Sequence, residues 1–282
     1  MNSKKTISKK RYMNKTFLTT VALMLAIVSA YAQRPLTIVH VNDTHSHVEP
    51  DRSGRNKDLG GVIERAVMID SIRKADGKRN VLFLHAGDFS QGTSYFPVMH
   101  GNIEIDIINA MRYDCVTIGN HELDNGLDEL GRRLKKLKCP VVCANYDFGS
   151  EAPSRYIKPY AIVRKAGRKI GIVGMLCDVS SVVESKIAAK LRHIDDAEVL
   201  NHWAKHLKTN EHCDLVICLS HLGFDADMRL APLVRNVDMY VGGHSHTFLE
   251  DIEYATDLDQ RQIPIVQSGC FGITVGEIQI DY

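Results

Sequence analysis

Short apolar runs rich in β-branched residues recur along the chain and alternate with segments of helical periodicity. The apolar runs predict buried strands, because a strand covered on both faces of a sheet needs no alternating polar positions. These predicted strands are 36–41, 81–84, 115–118, 141–144, 215–219 and 239–241. Apolar residues spaced three and four apart predict amphipathic helices between several of them. These predicted helices are 62–75, 103–111, 126–137 and 195–209.

Residues 160–176 have the pattern of a β-hairpin, in which segments 160–164 and 169–176 flank the turn Lys165-Ala166-Gly167-Arg168. Segments 263–267 and 272–280 predict two closing strands. Strands that alternate with helices predict an α/β fold of layers, and the hairpin indicates a mixed sheet or two sheets packed together. Because no linker or repeat interrupts residues 33–282, we expect one domain there.

Residues 1–32 have the composition of a secretory signal peptide. Six basic residues precede the apolar stretch 17–30, and Ala30-Tyr31-Ala32 places small residues just before Gln33. The apolar stretch is short for a membrane span, which needs about 20 residues. We therefore expect cleavage after Ala32, no membrane anchor after cleavage, and a secreted or periplasmic location.

Loss of this leader changes the sign of the net charge. The remaining chain has 29 Lys and Arg against 34 Asp and Glu, a net charge of about −5. An acidic balance argues against general binding of nucleic acid or anionic membranes, which requires a positive surface. Attraction of an anionic substrate would need a local source of positive charge, and bound metal ions are one.

The seven cysteines lie mostly in apolar runs. This placement predicts buried thiols that act as small hydrophobic side chains. A disulfide stays an open alternative in an exported protein. The chain has no pair of cysteines separated by two residues, so nothing suggests a thiolate zinc site.

Five clusters of polar residues each follow a predicted strand. They are Asn42-Asp43-Thr44-His45, Gly87-Asp88, Gly119-Asn120-His121-Glu122-Leu123-Asp124, Ser220-His221 and Gly242-Gly243-His244-Ser245-His246. Because ligands bind at the carboxyl ends of strands in open α/β sheets, we expect these side chains to converge. Carboxylate, amide and imidazole groups without sulfur suit Zn²⁺, Mn²⁺, Fe or Co²⁺ and do not select among them. The clusters therefore predict a metal site.

The five clusters together resemble the motifs of the calcineurin-like metallophosphoesterase superfamily. Within it, they are most similar to the N-terminal catalytic domain of secreted 5′-nucleotidases and of 2′,3′-cyclic nucleotide phosphodiesterases. The resemblance extends over residues 35–282 and implies a four-layer α/β/β/α sandwich with two divalent metal ions. It implies one ion on Asp43, His45 and His246, a second on Asn120, His221 and His244, and Asp88 bridging both.

The resemblance also implies the chemistry. Two adjacent metal ions lower the pKa of a shared water, and the resulting hydroxide attacks phosphorus in a small phosphoester such as a nucleotide. His121 would be the catalytic histidine, hydrogen-bonded to the phosphoryl oxygen or to the leaving group. Asp124 would orient its ring. Such an enzyme would serve nucleotide catabolism.

Secreted 5′-nucleotidases continue into a second domain that stacks on the base, and the predicted strands here end close to Tyr282. Nucleotide specificity is therefore less firmly implied than phosphoester hydrolysis. Several alternatives remain open. The domain could act alone as a broad phosphatase or phosphodiesterase, or as a catalytic subunit completed by a separate chain with a substrate-binding domain. It could also be a metal-loaded binding module with little turnover, or a relative of hydrolases that act on sulfur esters.

Other polar residues near the clusters have simpler interpretations. A hydrogen bond within the Asp43 loop is one interpretation of Asn42 and is not the favoured one. For Glu122 a surface position is favoured over a role in supporting the metal ligands. His40 and His85 fall inside strands and predict buried positions. His47, His202 and His206 are expected to face solvent.

Overall fold

The computed structural model describes residues 35–281, and the predicted signal segment 1–32 lies outside them. Within these residues the strands are β1 Leu36–Val41, β2 Val81–Ala86, β3 Cys115–Thr117, β4 Val141–Val142, β5 Tyr146–Asp147, β6 Ile157–Lys158, β7 Tyr160–Lys165, β8 Arg168–Leu176, β9 Arg192–His193, β10 Leu215–His221, β11 Met239–Val241, β12 Glu253–Thr256, β13 Gln262–Val266 and β14 Gly276–Ile280. The α-helices are α1 Val62–Asp76, α2 Tyr95–Met99, α3 Asn102–Met111, α4 Leu127–Leu134, α5 Ser185–Ala188, α6 Asp196–Thr209 and α7 Phe224–Leu230.

Two six-stranded mixed sheets form the centre of the fold. The first has the order β14-β1-β2-β3-β4-β6, with all neighbours parallel except the edge strand β14. The second has the order β12-β13-β11-β10-β8-β7, with four parallel central strands and antiparallel edges. The predicted hairpin is confirmed, because β7 pairs antiparallel with β8 along its whole length.

Three apolar cores separate four layers. Strand β1 divides its side chains between two of them, because successive residues of a strand point to opposite faces. Val39 packs with Ile69 and Ile105 of the helices, whereas Ile38 packs with Ile172 of the second sheet. A third core joins the outer face of the second sheet to α6 and α7. This arrangement is the predicted four-layer α/β/β/α sandwich.

The six strands and four helices that were predicted outside the hairpin and the closing segments are all present. Their ends are shifted by a few residues. The helix predicted over 126–137 ends at Leu134, while β2 and β10 run on to Ala86 and His221. The short helices α2, α5 and α7 were not predicted, because fewer than eight residues offer too few positions to show a helical period.

The cysteines behave as expected from their apolar surroundings. All seven lie within residues 35–281, all are free thiols, and Cys139 and Cys270 are the two that are not fully buried. No helix in this part of the chain has both the length and the apolar character that a membrane crossing needs.

Candidate metal centre and catalytic histidine

The five polar clusters converge at the edge of the sandwich where the carboxyl ends of the parallel strands of both sheets lie side by side. The loops after β1, β2 and β3 carry Asp43, Asp88 and Asn120, and these strands are neighbours in the first sheet. The end of β10 and the loop after β11 carry His221 and His244, and these strands are neighbours in the second sheet. The sandwich therefore brings side chains from two sheets to one edge, as the motif positions predict.

Asp43, His45 and His246 form a cluster that we call the open set. The Nε2 atoms of His45 and His246 are 2.9 Å apart. Asp43 Oδ1 lies 3.9 Å from the first nitrogen and 3.6 Å from the second. Ligand atoms about 2.0–2.2 Å from a single cation stand at separations of this order, so the three side chains fit one ion. The His246 side chain is 39% exposed, which leaves this set accessible.

Asp88, Asn120, His221 and His244 form a second cluster that we call the buried set. Asp88 Oδ2 lies 3.1 Å from His221 Nε2, and Asn120 Oδ1 lies 3.0 Å from His244 Nδ1. His221 is fully buried, and its Nδ1 donates a hydrogen bond to Ala86 O at 2.7 Å. The opposite nitrogen, Nε2, is buried without a hydrogen-bond partner. A buried imidazole nitrogen that lies beside a carboxylate without an aligned hydrogen bond to it suits a cation shared by the two groups.

Asp88 stands between the two sets. Its Oδ2 lies 3.1 Å from His221 Nε2 and 3.9 Å from His45 Nε2. Its Oδ1 accepts a hydrogen bond from the backbone N–H of His121 at 2.9 Å. Gly119 allows this approach, because a Cβ at that position would overlap the side chains of both Asp88 and His221. The geometry fits a carboxylate shared by two cations.

The acidity of the clustered groups depends on burial and on each other. Burial raises the pKa of Asp43 to about 7 and lowers the pKa of His45 and His244 to about 4. These histidines are therefore neutral, the form that binds metals. Burial acts most strongly on His221 and lowers its pKa. The charge and hydrogen bonding of Asp88, the charge of Asp43 and the hydrogen bond to Ala86 O together outweigh burial and raise the pKa to about 10. A cation between His221 and Asp88 would take the place of that proton.

His121 differs from the other histidines of the centre. Its Nδ1 lies 2.7 Å from Asp124 Oδ2, and both side chains are 29% exposed. The hydrogen bond to Asp124 raises the pKa of His121, whereas burial lowers that of His45. The His121 ring also lies 5.2 Å from the His45 ring, at the mouth of the centre. A half-exposed, protonatable imidazole in this place can donate a proton to a bound molecule.

A family profile covers most of this framework and every side chain of both sets. The calcineurin-like phosphoesterase profile matches residues 36–248. The chain belongs to the calcineurin-like phosphoesterase family. The resemblance carried by the five motifs is thus confirmed, and a metal centre built from Asp and His side chains accords with a metallophosphoesterase.

Relatives in this family include nucleotidases. The chain is 36% identical over 269 residues to the snake venom 5′-nucleotidase of Naja atra, covering 88% of this chain and 50% of that protein. It is 34% identical over 271 residues to a 5′-nucleotidase of Homo sapiens, covering 88% and 46%. The chain therefore spans about half the length of the curated relatives it matches.

Solved structures of family members share the sandwich. The 5′-nucleotidase precursor from Thermus thermophilus superposes with a TM-score of 0.81 at 30% identity, covering 88% of this chain and 51% of that one. The calcineurin-like phosphoesterase YfkN from Bacillus subtilis gives 0.72 at 25% identity, covering 89% and 86%. These matches agree with the two sheets and four layers described above.

Glu122 is not at the surface, which corrects the expectation from its sequence. It is fully buried, and its carboxylate accepts hydrogen bonds from the backbone N–H groups of Asp88, Ser90 and Gly119 at 2.6–2.9 Å. The loops after β2 and β3 are thereby tied together. Buried Arg133 supports this junction with hydrogen bonds to Ser90 Oγ and Glu122 O.

The remaining histidines follow their predictions in part. His40 and His85 are buried, as expected for strand positions. His202 is exposed, as predicted, whereas His206 is half-buried and lies 3.3 Å from the Tyr160 hydroxyl. The expectation that His47 faces solvent is wrong, because its side chain is only 18% exposed and stacks on Phe271.

Sequence reasoning missed the loop after β13. This loop lies beside the open set, because β13 pairs parallel with β11 and ends at the same edge of the sheet. Its Ser268 donates to Asn42 Oδ1, while Asn42 Nδ2 donates to Gly269 O and to Asp43 Oδ2. Asn42 therefore hydrogen-bonds within the Asp43 loop, the interpretation that its sequence did not favour. A strand followed by Ser268-Gly269-Cys270-Phe271-Gly272 is the signal that could have indicated this loop.

Proposed function

We propose that this protein is a phosphoester hydrolase whose two sets of side chains hold two divalent metal ions. The open set holds one ion, Asn120, His221 and His244 hold the other, and Asp88 is shared. Bound in this way, the ions supply activation of a water molecule and neutralisation of phosphoryl charge. The observation that carries the proposal is His221 Nε2, which is buried 3.1 Å from the Asp88 carboxylate without an aligned hydrogen bond to it.

His121 is proposed to act on the substrate rather than to bind metal. Its Nδ1 is engaged by Asp124, so Nε2 is the nitrogen available to donate to a phosphoryl oxygen or to the leaving group. Asp124 fixes the ring orientation and stabilises the protonated imidazole, as carboxylates do in related His–Asp pairs. The raised pKa of His121 keeps the proton available near neutral pH.

The substrate class that we propose is a nucleoside monophosphate. The support comes from two relatives named 5′-nucleotidases, which are 34–36% identical to this chain. The alignments cover about half the length of each relative. The exposed side of His246 leaves room above the open set for the remainder of a substrate. We place the protein in nucleotide catabolism on this basis.

A binding module with little turnover is the second candidate function, and the His121–Asp124 pair argues against it. A purely structural metal site needs no protonatable imidazole outside the ligand set, with both partners part-exposed at its mouth. The sequence-based alternative of a sulfur-ester hydrolase has no observation in its favour among the described residues.

The test is a substrate panel with a matched variant. Purified protein loaded with Mn²⁺ or Zn²⁺ is assayed on p-nitrophenyl phosphate, its bis-ester, AMP and 2′,3′-cyclic AMP, beside His121→Ala. We expect metal-dependent turnover that is strongly reduced in the variant. Two bound ions without turnover of any ester would favour the binding module or a partner-dependent subunit. Equal turnover by His121→Ala would contradict the assigned role of this histidine.

A secreted or periplasmic location is also a proposal, because it rests on residues 1–32 alone. Expression of the whole chain in a bacterial host, followed by N-terminal sequencing of the exported product, tests it. We expect the mature protein to begin at Gln33. A product that retains residues 1–32 would contradict the predicted cleavage.

A further inference from the structure

A tight turn beside the open set carries an aromatic residue in an unusual backbone conformation. The turn contains three residues with positive φ: Gly269 at 72°, Phe271 at 61° and Gly272 at 64°. Glycine adopts this region freely, but a bulky side chain does so only at a cost in free energy. A phenylalanine there calls for an explanation, because the same turn would form with less strain around glycine.

The turn is held against the loop that carries the open set. Phe271 N–H donates to Asp43 O at 2.6 Å, and Asn42 Nδ2 donates to Gly269 O at 2.6 Å. Below it, the Gly272 Cα packs against buried Arg65, where a Cβ would collide with the guanidinium. The backbone of the turn is therefore fixed by contacts that do not involve the Phe271 ring.

The ring of Phe271 contacts three histidines of the centre. It stacks on His47 with centroids 4.3 Å apart and an interplanar angle of 27°. It meets the rings of His45 and His246 edge-on, at 5.8 Å and 5.7 Å. Such edge-to-face contacts restrain ring orientation. Both imidazoles of the open set are thus in contact with the same half-buried side chain.

These contacts matter because hydrogen bonds restrain the two imidazoles of the open set less than they restrain His221. Burial and an edge contact with His121 also restrain the His45 ring. His221 of the buried set is fixed by a hydrogen bond from Nδ1 to Ala86 O. Among the hydrogen bonds of the described residues, the rings of His45 and His246 have only the contact between their own Nε2 atoms. Among the same hydrogen bonds, none joins the Nδ1 atom of either ring to a carbonyl or carboxylate, the usual partner that orients a ligating histidine.

We propose that Phe271 is a positioning residue that orients His45 and His246 for the ion of the open set. The inference rests on the proposed two-metal function and deepens it. The aromatic ring does for the open set what the Ala86 carbonyl does for His221. Backbone strain at Phe271 persists because the ring must reach both imidazoles.

The experiment compares Phe271→Gly with Phe271→Tyr and with Phe248→Ala. Glycine removes the ring, keeps the N–H donor to Asp43 and relieves the positive φ, so the turn itself remains favourable. Tyrosine keeps an aromatic ring. Phe248 is a matched control, because it is 59% exposed and lies beside Gly269 of the same turn, and none of the ring contacts among residues 35–281 joins it to a histidine. His246→Ala identifies which of the two binding events belongs to the open set.

Metal-free protein is titrated with Co²⁺ by calorimetry, and the visible absorption of bound Co²⁺ reports ligand geometry. In Phe271→Gly we expect the affinity of the open-set ion to fall about 10–100-fold, the range for loss of an orienting partner, with an altered spectrum. The buried-set ion should bind as in the wild type. Phe271→Tyr should restore the open-set affinity, and Phe248→Ala should change neither event.

Three results would overturn the inference. One is wild-type affinity for both ions in Phe271→Gly. If KM for the substrate rises in that variant while both affinities stay unchanged, the ring contacts the substrate and does not orient the metal ligands. Another is equal weakening of both ions, which indicates a general structural role. Wild-type protein that binds no Co²⁺ at all would overturn the proposed function and this inference with it, whereas the first two leave the proposed function intact.

Discussion

The buried set and the open set use the same chemistry but are held in different ways. His221 has no exposed surface and is fixed by the Ala86 carbonyl, at the end of a strand inside the sheet. His246 is 39% exposed, and its ring is restrained by the aromatic ring of Phe271. Backbone groups of the sheet thus orient one set, while a side chain from a distant turn orients the other.

This contrast indicates where metal affinity should come from. Buried His221 and Asp88 need little reordering when an ion binds, whereas His246, the exposed member of the open set, must lose side-chain freedom. We therefore expect the buried set to hold its ion more tightly than the open set does. Variants of four residues test the carboxylate shared by the two sets, the His–Asp pair outside them and the carboxyl buried behind them.

Asp88→Asn should have the largest effect, because this residue is the one that joins the sets. The amide cannot supply negative charge to two cations, so neither ion should be held in place. We expect phosphatase activity to fall by more than about 10⁴-fold, comparable to removal of a central catalytic group. Activity on p-nitrophenyl phosphate together with metal content by mass spectrometry checks this. Retention of two ions and most activity would remove Asp88 from its shared position.

His121→Ala should separate chemistry from metal binding. In the proposed assignment the ring belongs to neither set, so both ions should remain. His121 does lie close enough to His45 and Asp88 to form a further candidate metal group with them, and the variant therefore tests the assignment. We expect kcat to fall about 10²–10⁴-fold, the usual contribution of a general acid. Steady-state kinetics on AMP and on p-nitrophenyl phosphate measures the loss. If His121→Ala also lost one ion, the histidine would belong to a ligand set, and the division into two sets would need to be redrawn.

Asp124→Asn should give a smaller effect of the same kind. The Asp124 carboxylate orients the His121 ring through a 2.7 Å contact, but at 29% exposure water can partly replace it. We expect kcat to fall about 10–100-fold with both ions retained. The double variant with His121→Ala is the control, and it should be no worse than His121→Ala alone. An additive loss in the double variant would show that Asp124 acts elsewhere.

Asp227→Asn should have the smallest effect, on stability alone. Asp227 is fully buried behind the buried set, where it accepts a hydrogen bond from Ser220 Oγ at 2.5 Å, and burial raises its pKa to about 7. The folded protein therefore binds a proton that the unfolded chain has lost between about pH 4 and 7, so stability falls as pH rises through that window. The slope for one group is at most about 1.4 kcal/mol per pH unit.

Urea unfolding of metal-free wild type and Asp227→Asn at pH 5, 6 and 7 measures this difference. The variant cannot titrate at this position, so it should lose less stability over the range by about 1–3 kcal/mol. Parallel curves for the two proteins would show that the Asp227 carboxyl does not change its protonation in this interval.

The four-layer sandwich and the division into two ligand sets were implied by the family resemblance, whereas the convergence of the polar clusters could be predicted from the strand pattern for a physical reason. Asp88 and His221 follow continuous apolar runs, and the carboxyl ends of parallel strands must meet at one edge. Glu122 was misjudged because its burial depends on backbone N–H groups from two loops. The sequence around a glutamate in such a loop does not show whether its carboxylate faces water or accepts hydrogen bonds from three backbone N–H groups.

Phe271 could not be predicted as part of the centre for a related reason. Its contacts with His45 and His246 depend on β13 lying beside β11, a pairing that local patterns do not specify. The positive φ of Phe271 could not be predicted from its residue type either, because phenylalanine ordinarily avoids that conformation. Sequence patterns therefore do not reveal this tertiary contact between the turn after β13 and the histidines of the open set.

Anomalous diffraction from crystals of the zinc-loaded protein tests the central claim most directly. Two sites about 3.5–4 Å apart are expected, one among Asp43, His45 and His246 and the other among Asn120, His221 and His244, with Asp88 between them. On partial removal of zinc by a chelator, the site beside His246 should lose occupancy first. Absence of metal next to His221, or a single ion remote from Asp88, would contradict the account.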